Sequence, residues 1–217
     1  MRLAGVRGVR KSKRVFTTKS DPALHRPMDL VNRRFIADGP RRLWVCDLTY
    51  VAPWRVFAYI AFVTHVHSRR IVGWNVEATL KAEIPPLQAL DMAEWGAGGD
   101  LTVLTHHSDL GSNYLAMVYT DRIVELGAVQ STGTVGDSFD NAMAEAVNNL
   151  YKTELIRQRG PWRPVERVEL ATLEYVWWCN NQRLHGELDM RTLLEVEQAY
   201  YADQESDQPA LVEQASP

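Results

Sequence analysis

The sequence predicts an α/β domain built on a mixed, five-stranded β-sheet flanked by helices. Three long apolar runs follow one another and end at turn signals, which is the pattern of an antiparallel meander. Two shorter apolar runs come later in the chain, each after a helical pattern, and complete the five strands. The predicted strands are residues 43–51, 55–66, 71–77, 101–104 and 128–131.

Four helices are predicted between and after these strands. In the first helix we expect Leu87, Leu90 and Trp95 to face the core, with Pro85 and Pro86 in the first turn, where proline is tolerated. The second helix is expected to end at a glycine and the third before a Gly-Pro pair, because both are common helix-ending signals. The four predicted helices are residues 79–95, 113–127, 138–159 and 165–180.

The composition indicates one well-packed domain with appendages. The chain has 217 residues, of which 46% are hydrophobic, and it contains seven Trp. No apolar run reaches the roughly 18 residues of a membrane-spanning helix, and the basic N-terminal residues lack the apolar segment of a secretory signal. The two cysteines, Cys46 and Cys179, follow no metal-ligand spacing, so we expect buried thiols in a reducing cytoplasm.

Charge is distributed unevenly along the chain. Residues 1–42 contain twelve Lys and Arg but three Asp, whereas the rest of the chain contains twelve Lys and Arg but 24 Asp and Glu. A basic arm joined to an acidic body suggests that the arm has a polyanion as its partner, and a merely solvated tail is the alternative interpretation. The predicted division is a basic arm at 1–42, a folded core at 43–200 and a disordered tail at 201–217.

Three acidic residues are the strongest functional candidates. Asp47 lies within the first apolar strand, where an unpaired carboxylate is costly to bury and needs a cation or a donor. Asp109 opens a turn after a strand, and Glu145 lies in a predicted helix 35 residues further on. Asp109 alone is more simply a turn residue, and Glu145 alone a solvated helix residue. Together, two strand-end carboxylates and a helical one can converge on a pair of divalent cations, which phosphodiester chemistry requires.

The residues around these acids carry a family resemblance. The first acid lies in W-x-x-D-x-T-Y (residues 44–50), the second in H-S-D-x-G-S-x-Y (107–114) and the third in D-N-A-x-x-E (140–145). A later segment, residues 179–185, resembles Y-N-x-x-R-x-H with Cys in place of Tyr. With the 35-residue gap, this set resembles the retroviral-integrase-like core of bacterial insertion-sequence transposases of the DDE type, encoded in a second reading frame. The resemblance covers about residues 1–200.

The resemblance implies a ribonuclease-H-like fold in which Asp47, Asp109 and Glu145 bind two catalytic metal ions, Mg²⁺ or Mn²⁺. It also implies the reaction, in which cleavage at the ends of the element exposes a 3′-OH that attacks another phosphodiester. The implied partners are the DNA of the element ends and of the target, other copies of the chain on that DNA, and the product of an upstream reading frame. The implied location is the bacterial cytoplasm, with the nucleoid.

Several residues are candidates for contacting DNA. Lys152 lies seven residues after Glu145 and shares its helix face, although an exposed helix lysine is an equally good interpretation. His106 and His107 are expected to have structural roles, because hard metals prefer carboxylates and no cysteine ligand lies nearby. The candidate DNA contacts are Lys152, Asn149, Arg183, Arg10, Lys11, Lys13 and Arg14.

Two other functions stay open at this point. The short upstream part and departures from the family pattern, such as Asp189 and Leu193 in place of Gly and Pro, are compatible with a catalytically inactive DNA-binding remnant of a transposase. A different ribonuclease-H-like nuclease, acting on RNA–DNA hybrids or junctions, would use similar acids. The D-N-A-x-x-E and Y-N-x-x-R-x-H segments favour the transposase.

Overall fold

A five-stranded mixed sheet forms the centre of the protein, as the sequence predicts. The structure is a computed structural model that describes residues 27–52, 57–79, 84–98, 100–134 and 138–206. The strand order is β3-β2-β1-β4-β5; β2 is antiparallel to both of its neighbours, β1 and β3, while β4 is parallel to β1 and β5 is parallel to β4. The strands are β1 (Leu43–Val51), β2 (Ala58–His65), β3 (Ile71–Glu77), β4 (Thr105–Ser108) and β5 (Val129–Thr132).

Helices cover both faces of the sheet. The predicted helix over residues 138–159 is a nearly continuous series of helical turns: a 3-10 turn at Ser138–Asn141, then α3, then a π-helical turn at Lys152–Ile156, then α4. Among the described residues no helix is long and apolar enough to cross a bilayer. The α-helices are α1 (Ile84–Ala97), α2 (Met117–Glu125), α3 (Ala142–Tyr151), α4 (Arg157–Arg159), α5 (Val165–Asn181) and α6 (Leu193–Ser206).

Two apolar layers hold the helices to the sheet. On one face, α1 and α2 pack through Leu90 and Tyr119 against the β1 side chains of Trp44 and Cys46. On the other face, α5 and the end of α3 pack against β2, with the Tyr151 ring edge-on to Phe62. Because the side chains of a strand alternate between faces, Asp47 points to the α3 side of β1, which places it next to the helix that carries Glu145.

Helix α1 approaches β3 closely, and this corrects one expectation. Its buried residues include Ala89 and Ala93, which lie against Gly73 of β3. Leu90 faces the core as predicted, but Trp95 is 87% exposed, so its predicted inward position is wrong. The reason is that the small residues allow the helix to sit tightly on the sheet, which fixes its buried face and leaves Trp95 on the opposite side.

The fourth strand lies four residues later than predicted. Leu101 and Leu104 are buried, but they belong to a turn in which the Leu104 amide donates to the Leu101 carbonyl at 2.9 Å. The strand itself contains His106 and His107, both fully buried. Apolar content therefore indicated a core position correctly but identified the wrong segment as the strand.

The predicted domain limits also shift at both ends of the described chain. Part of the predicted arm packs on the sheet: Val31 is buried, the Leu30 amide donates to Ser131 Oγ at 3.0 Å, and the Thr132 hydroxyl donates to the Pro27 carbonyl at 2.9 Å. At the other end, α6 was not predicted and continues to Ser206, so residues 201–206 of the predicted tail are helical. Residues 1–26 and 207–217 lie outside the described residues.

We expect Gly73→Ala to destabilise the fold. An added Cβ would overlap the Ala89 carbonyl oxygen and lie 2.9 Å from Ala93 Cβ, and overpacking of this kind costs about 1–3 kcal/mol. Urea unfolding followed by circular dichroism would measure the loss. The matched control is Gly96→Ala on α1, where an added Cβ meets nothing within 4 Å. This control substitution should stabilise the protein by up to about 1 kcal/mol. Equal stability of the Gly73 variant and the wild type would refute the close packing.

Candidate active site

The pairing of β1 with β4 brings the first two candidate acids together. The two strands are parallel, and the last pair in their register is Cys46 with Ser108. The next residue on each strand is an acid, Asp47 on β1 and Asp109 after β4. Neighbouring strands lie about 4.8 Å apart, so the two aspartates are adjacent, with Asp47 in the middle of β1 and Asp109 directly after the end of β4.

Asp47 is held in place by two hydrogen bonds. The Leu48 amide donates to Oδ1 at 2.8 Å, and the side-chain amide of Asn148, on α3, donates to Oδ2 at 2.7 Å. The second bond ties the strand to the helix that carries Glu145. The Asn148 side chain is buried, and its own Oδ1 has no hydrogen-bond partner among the described residues. It is therefore an unsatisfied acceptor on the side chain that holds the carboxylate of Asp47.

Burial and like charges raise the pKa of the first two acids. Burial is the main reason that the pKa of Asp47 rises to about 7, and the negative charges of Asp109 and, to a smaller extent, Glu145 raise it further. Asp109 is an exposed residue, but protein atoms surround its carboxylate, and this burial raises its pKa as well. The hydrogen bond that the Gly111 amide donates to this carboxylate acts in the opposite direction and lowers the pKa. Asp47 thus lies within electrostatic reach of both other acids.

The three acids are neighbours without forming a ready-made ligand shell. Across the described ranges, no group of three or more His, Cys, Asp or Glu side chains is placed to hold a metal ion. The physical reason is that each aspartate is held by protein donors, Asp47 by Asn148 and Leu48 and Asp109 by Gly111. Mutual repulsion of carboxylates opposes a closer approach in the absence of a positive charge.

A second polar cluster fixes the start of α3. Asp140 is buried and accepts hydrogen bonds from Arg33 Nε at 2.6 Å and from the amide and hydroxyl of Thr134. The bonds from Thr134 and Arg33 lower the pKa of Asp140 to about 2. The next residue, Asn141, donates from Nδ2 to the Cys46 carbonyl at 3.0 Å. The D-N pair of the third motif therefore anchors the helix of Glu145 to β1 and to the N-terminal segment.

The two histidines of β4 have structural positions, as predicted. His107 Nε2 lies 2.8 Å from the Asp140 carbonyl and must donate to it, so Nδ1 accepts from the Ser131 hydroxyl at 2.8 Å. On the opposite face, His106 Nε2 lies 2.9 Å from both Cys46 Sγ and the Tyr119 hydroxyl. Burial lowers the pKa of His106 to about 3, so its ring is neutral. Both rings are completely enclosed and cannot reach a metal at the carboxylates.

The candidate DNA contacts occupy different settings. Lys152 follows α3 and places Nζ 5.5 Å from the ring centroid of Tyr50, while Asn149 is exposed. Arg183 instead pairs within the chain: its Nη2 lies 2.7 Å from Glu154 Oε1, and the Tyr175 hydroxyl donates to the other oxygen of that carboxylate at 3.0 Å. The four arm residues lie outside the described part of the chain; they are Arg10, Lys11, Lys13 and Arg14.

Sequence reasoning missed some of the residues that organise this site. Asn148, not Asn149, contacts Asp47, and a signal was available because a residue three positions after Glu145 lies on the same helix face. The pair of Arg33 with Asp140 had no local signal, since 107 positions separate the two residues in sequence. The structure alone identifies Glu154 as the partner of Arg183.

This sheet order, with adjacent acids on β1 and directly after β4 and a third acid on α3, defines an integrase-like catalytic core. Two family models described as integrase core domain match residues 37–138 and 145–191. Among solved structures, the HTLV-2 integrase catalytic core domain in complex with magnesium aligns with a TM-score of 0.54 over 75% of this chain and 99% of that chain, at 13% identity. A simian T-cell lymphotropic virus intasome aligns at 0.62 over 88% and 62%, at 14% identity.

Curated relatives identify the family within this class. The putative transposase for insertion sequence element IS986/IS6110 of Mycobacterium tuberculosis is 46% identical over 205 residues, covering 93% of this chain and 73% of the relative. The transposase for insertion sequence element IS629 of Shigella sonnei is 45% identical over 202 residues, covering 93% and 67%. The chain therefore belongs to the bacterial insertion-sequence transposases with an integrase core domain.

We expect Asp140→Asn to destabilise the protein more near neutral pH than in acid. The folded pKa of about 2 lies below the unfolded value. The charged carboxylate therefore adds stability above about pH 4, and this contribution disappears as the pH falls through about 2. Urea midpoints of wild type and variant, compared at pH 7 and pH 3, would show a gap that narrows in acid.

Arg33→Gln removes the other partner of this ion pair. The difference in stability between this variant and the wild type should likewise be smaller at pH 3 than at pH 7. If the difference between the Asp140 variant and the wild type were the same at pH 7 and pH 3, the ion pair and hydrogen bonds at Asp140 would not be the source of the stability.

Proposed function

We propose that the chain catalyses divalent-metal-dependent cleavage and strand transfer of DNA in the transposition of an insertion sequence, with Asp47, Asp109 and Glu145 as its catalytic residues. The observation that carries this assignment is the parallel register of Cys46 with Ser108, since it makes the two aspartates neighbours. The hydrogen bond from Asn148 to Asp47 then holds the helix of Glu145 beside them.

The residues present suit a hard divalent cation. Carboxylate and amide oxygens are the ligands that Mg²⁺ prefers, and the Asn148 Oδ1 atom is buried without a partner in the described part of the chain. A cation would also stabilise the charged form of Asp47, whose pKa burial and like charges raise to about 7. Side-chain rotations would have to bring Asp109 and Glu145 toward the same ion, and a pair of ions is the number that this chemistry uses.

The protein residues position the reacting groups and form no covalent bond to DNA. When bound, two divalent cations would activate the attacking oxygen and stabilise the leaving oxygen. In the first step water attacks the phosphorus at the element end, and the bond to the 3′ oxygen breaks to leave a 3′-OH and a 5′-phosphate. In the second step that 3′-OH attacks a target phosphodiester and the target 3′ oxygen leaves. Strand β1 keeps Asp47 rigid, and Asn141 holds α3 against it.

DNA and other copies of the chain are the proposed partners. Solved integrase cores that resemble this fold are described in dimeric and trimeric forms and as an intasome, which supports oligomerisation on DNA. The proposed phosphate contacts are Lys152, which follows Glu145 by seven residues, the exposed Asn149 and the basic residues of the arm. Arg183 would first have to release Glu154. We also propose that the product of an upstream reading frame is a partner of the chain. The proposed location is the bacterial cytoplasm.

The transposase is favoured over the two other candidates. A catalytically inactive remnant would not need to keep all three acids, the Asn148 contact and the Asp140 anchor, yet all of them are present. A nuclease for RNA–DNA hybrids could share the fold, but the relatives that match 93% of the chain are described as transposases.

Asp109→Asn should abolish strand transfer, lowering its rate by about 100-fold or more, because a neutral amide is a much poorer metal ligand than a carboxylate. The measurement is Mg²⁺- or Mn²⁺-dependent joining of oligonucleotides that carry the inverted repeats flanking the gene. The matched control is Asp121→Asn, which changes an exposed aspartate on α2 and should leave the rate unchanged. Full activity of the Asp109 variant would refute the assignment of Asp109 as a catalytic residue.

Asn148→Ala should raise the metal concentration needed for half-maximal strand transfer by about 10- to 100-fold, the usual effect of losing a group that orients a ligand. Its affinity for DNA without metal should stay within about twofold of wild type, because this buried amide faces Asp47 rather than solvent. The control is Asn181→Ala, whose amide contacts its own helix through the Trp177 carbonyl. An unchanged metal requirement would rule out a positioning role for Asn148.

A further inference from the structure

The helix of the third acid changes its winding a short distance after that acid. Residues Lys152–Ile156 form a π-helical turn between α3 and α4, and the turn begins seven residues after Glu145. Turns of this kind are rare, occur mostly as single turns inside α-helices and are frequent at functional sites. The side chains that hold this turn are therefore candidates for a role in the reaction.

Glu154, in the middle of the turn, is held at both of its carboxylate oxygens. Arg183 donates to Oε1 through Nε at 3.1 Å and through Nη2 at 2.7 Å, and the Tyr175 hydroxyl donates to Oε2 at 3.0 Å. The side chains of Arg183 and Glu154 are only 19% and 24% exposed. Charge-assisted hydrogen bonds are among the stronger ones in proteins, and we refer to the Arg183–Glu154 pair as the clamp on the π-helical turn.

The clamp leaves Arg183 little capacity to bind anything else. Its Nη1 atom lies 2.9 Å from His185 Nδ1, so all three nitrogen atoms of the guanidinium group contact partners within the chain. A DNA phosphate could reach Arg183 only by displacing Glu154, and separating a mostly buried pair of charges is costly. A role in which Arg183 acts through Glu154 fits these contacts better than a direct contact with DNA.

Lys152 and Glu154 point in nearly opposite directions. Successive residues of a helix are rotated by roughly 100°, so residues two positions apart lie on roughly opposite sides. Glu154 points toward Tyr175 of α5, whereas Lys152 reaches Tyr50 of β1, with Nζ 5.5 Å from the centroid of that ring. Holding Glu154 on the α5 side therefore fixes the direction in which Lys152 leaves the helix.

The residue before Lys152 is fixed as well. Tyr151 is completely buried, and its hydroxyl lies 2.7 Å from Thr172 Oγ1 on α5. Positions on both sides of Lys152 are thus tied to α5 or to the segment after it, while the Lys152 side chain itself is partly exposed. The arrangement presents one cation in a fixed direction on the helical segment that carries Glu145.

We propose that Arg183 is a positioning residue: it holds Glu154, and Glu154 in turn directs Lys152 toward a DNA phosphate. This inference rests on the proposed function, in which Lys152 contacts phosphate. It assigns Arg183 no direct contact with DNA, so the Arg183–Glu154 pair stays closed when DNA binds. Because contacts to phosphate supply much of the affinity of proteins for DNA, loss of the clamp should weaken DNA binding.

Glu154→Gln distinguishes this role from a direct contact, because the two roles predict changes of opposite sign. The substitution removes a negative charge and releases Arg183, so DNA binding should tighten if Arg183 contacts phosphate. If Arg183 acts through Glu154, binding should weaken by about fivefold, as it should for Lys152→Gln, which loses one phosphate contact. The measurement is the affinity of the full chain, without metal, for a labelled DNA duplex that carries the inverted repeat flanking the gene.

Salt dependence and a double substitution test whether the clamp acts through Lys152. Glu154→Gln and Arg183→Gln should each lower the slope of log affinity against log salt concentration by about one, as Lys152→Gln does. In the Lys152→Gln chain, neither substitution should weaken binding further. Losses from independent contacts would instead multiply.

Glu174→Gln is the matched control. Glu174 on α5 also pairs with an arginine, Arg159, at 3.3 Å, but these side chains are 61% and 60% exposed. The control removes the same charge from an exposed pair, which contributes little, and should change the affinity for DNA by less than about twofold. Thermal melting of each variant checks the fold, and affinities are compared at a temperature at which every variant is folded.

The outcomes distinguish the clamp from the function on which it rests. Weaker binding by Glu154→Gln that disappears in the Lys152→Gln chain supports the positioning role. Tighter or unchanged binding by Glu154→Gln, no loss in Lys152→Gln, losses that multiply, or an equal loss in Glu174→Gln would overturn it and leave the transposase assignment intact. A wild-type chain that does not bind the duplex would overturn both.

Discussion

The pairing of Cys46 with Ser108 across the parallel strands β1 and β4 is the constraint on which the rest of the site depends. The next residue on each strand is an aspartate, and a slip of one position would turn one of the two carboxylates to the opposite face of the sheet. The helix of Glu145 is then fastened to the same strand at two points, by Asn141 on the Cys46 carbonyl and by Asn148 on Asp47. One strand therefore sets the position of all three acids.

The sheet around these acids is unusually polar for an interior. His106, His107 and Ser131 are completely buried, where unpaired polar groups would be destabilising. The described contacts resolve most of this cost: His107 joins Ser131 to the Asp140 carbonyl, and His106 meets Cys46 and Tyr119. Through Asp140 and Arg33 the network reaches the N-terminal segment, so the site is supported by residues far from it in sequence.

The sequence was most informative where a pattern was local. The bounds of β1 and β3 were predicted correctly from their apolar runs, and the motifs located the three acids. Local patterns failed for β4, whose core positions are histidines, and for α6, whose buried face includes Glu197 paired with Arg70. They also could not reveal partners that meet only in three dimensions, such as Arg33 with Asp140. The fold and the acids were thus predictable, while the contacts that position the acids were not.

The mixed direction of the sheet has a consequence for the order of folding. Strand β1 meets β2 after a short connection, but it meets β4 only about 60 positions along the chain. Closing the longer loop costs more entropy, and local hairpins form sooner than distant parallel pairs. The β1–β3 meander therefore emerges from the ribosome and can fold before β4 and the helix of Glu145 exist. The acids come together only at the end of folding, so a partly synthesised chain has a sheet but no site with which to cut DNA.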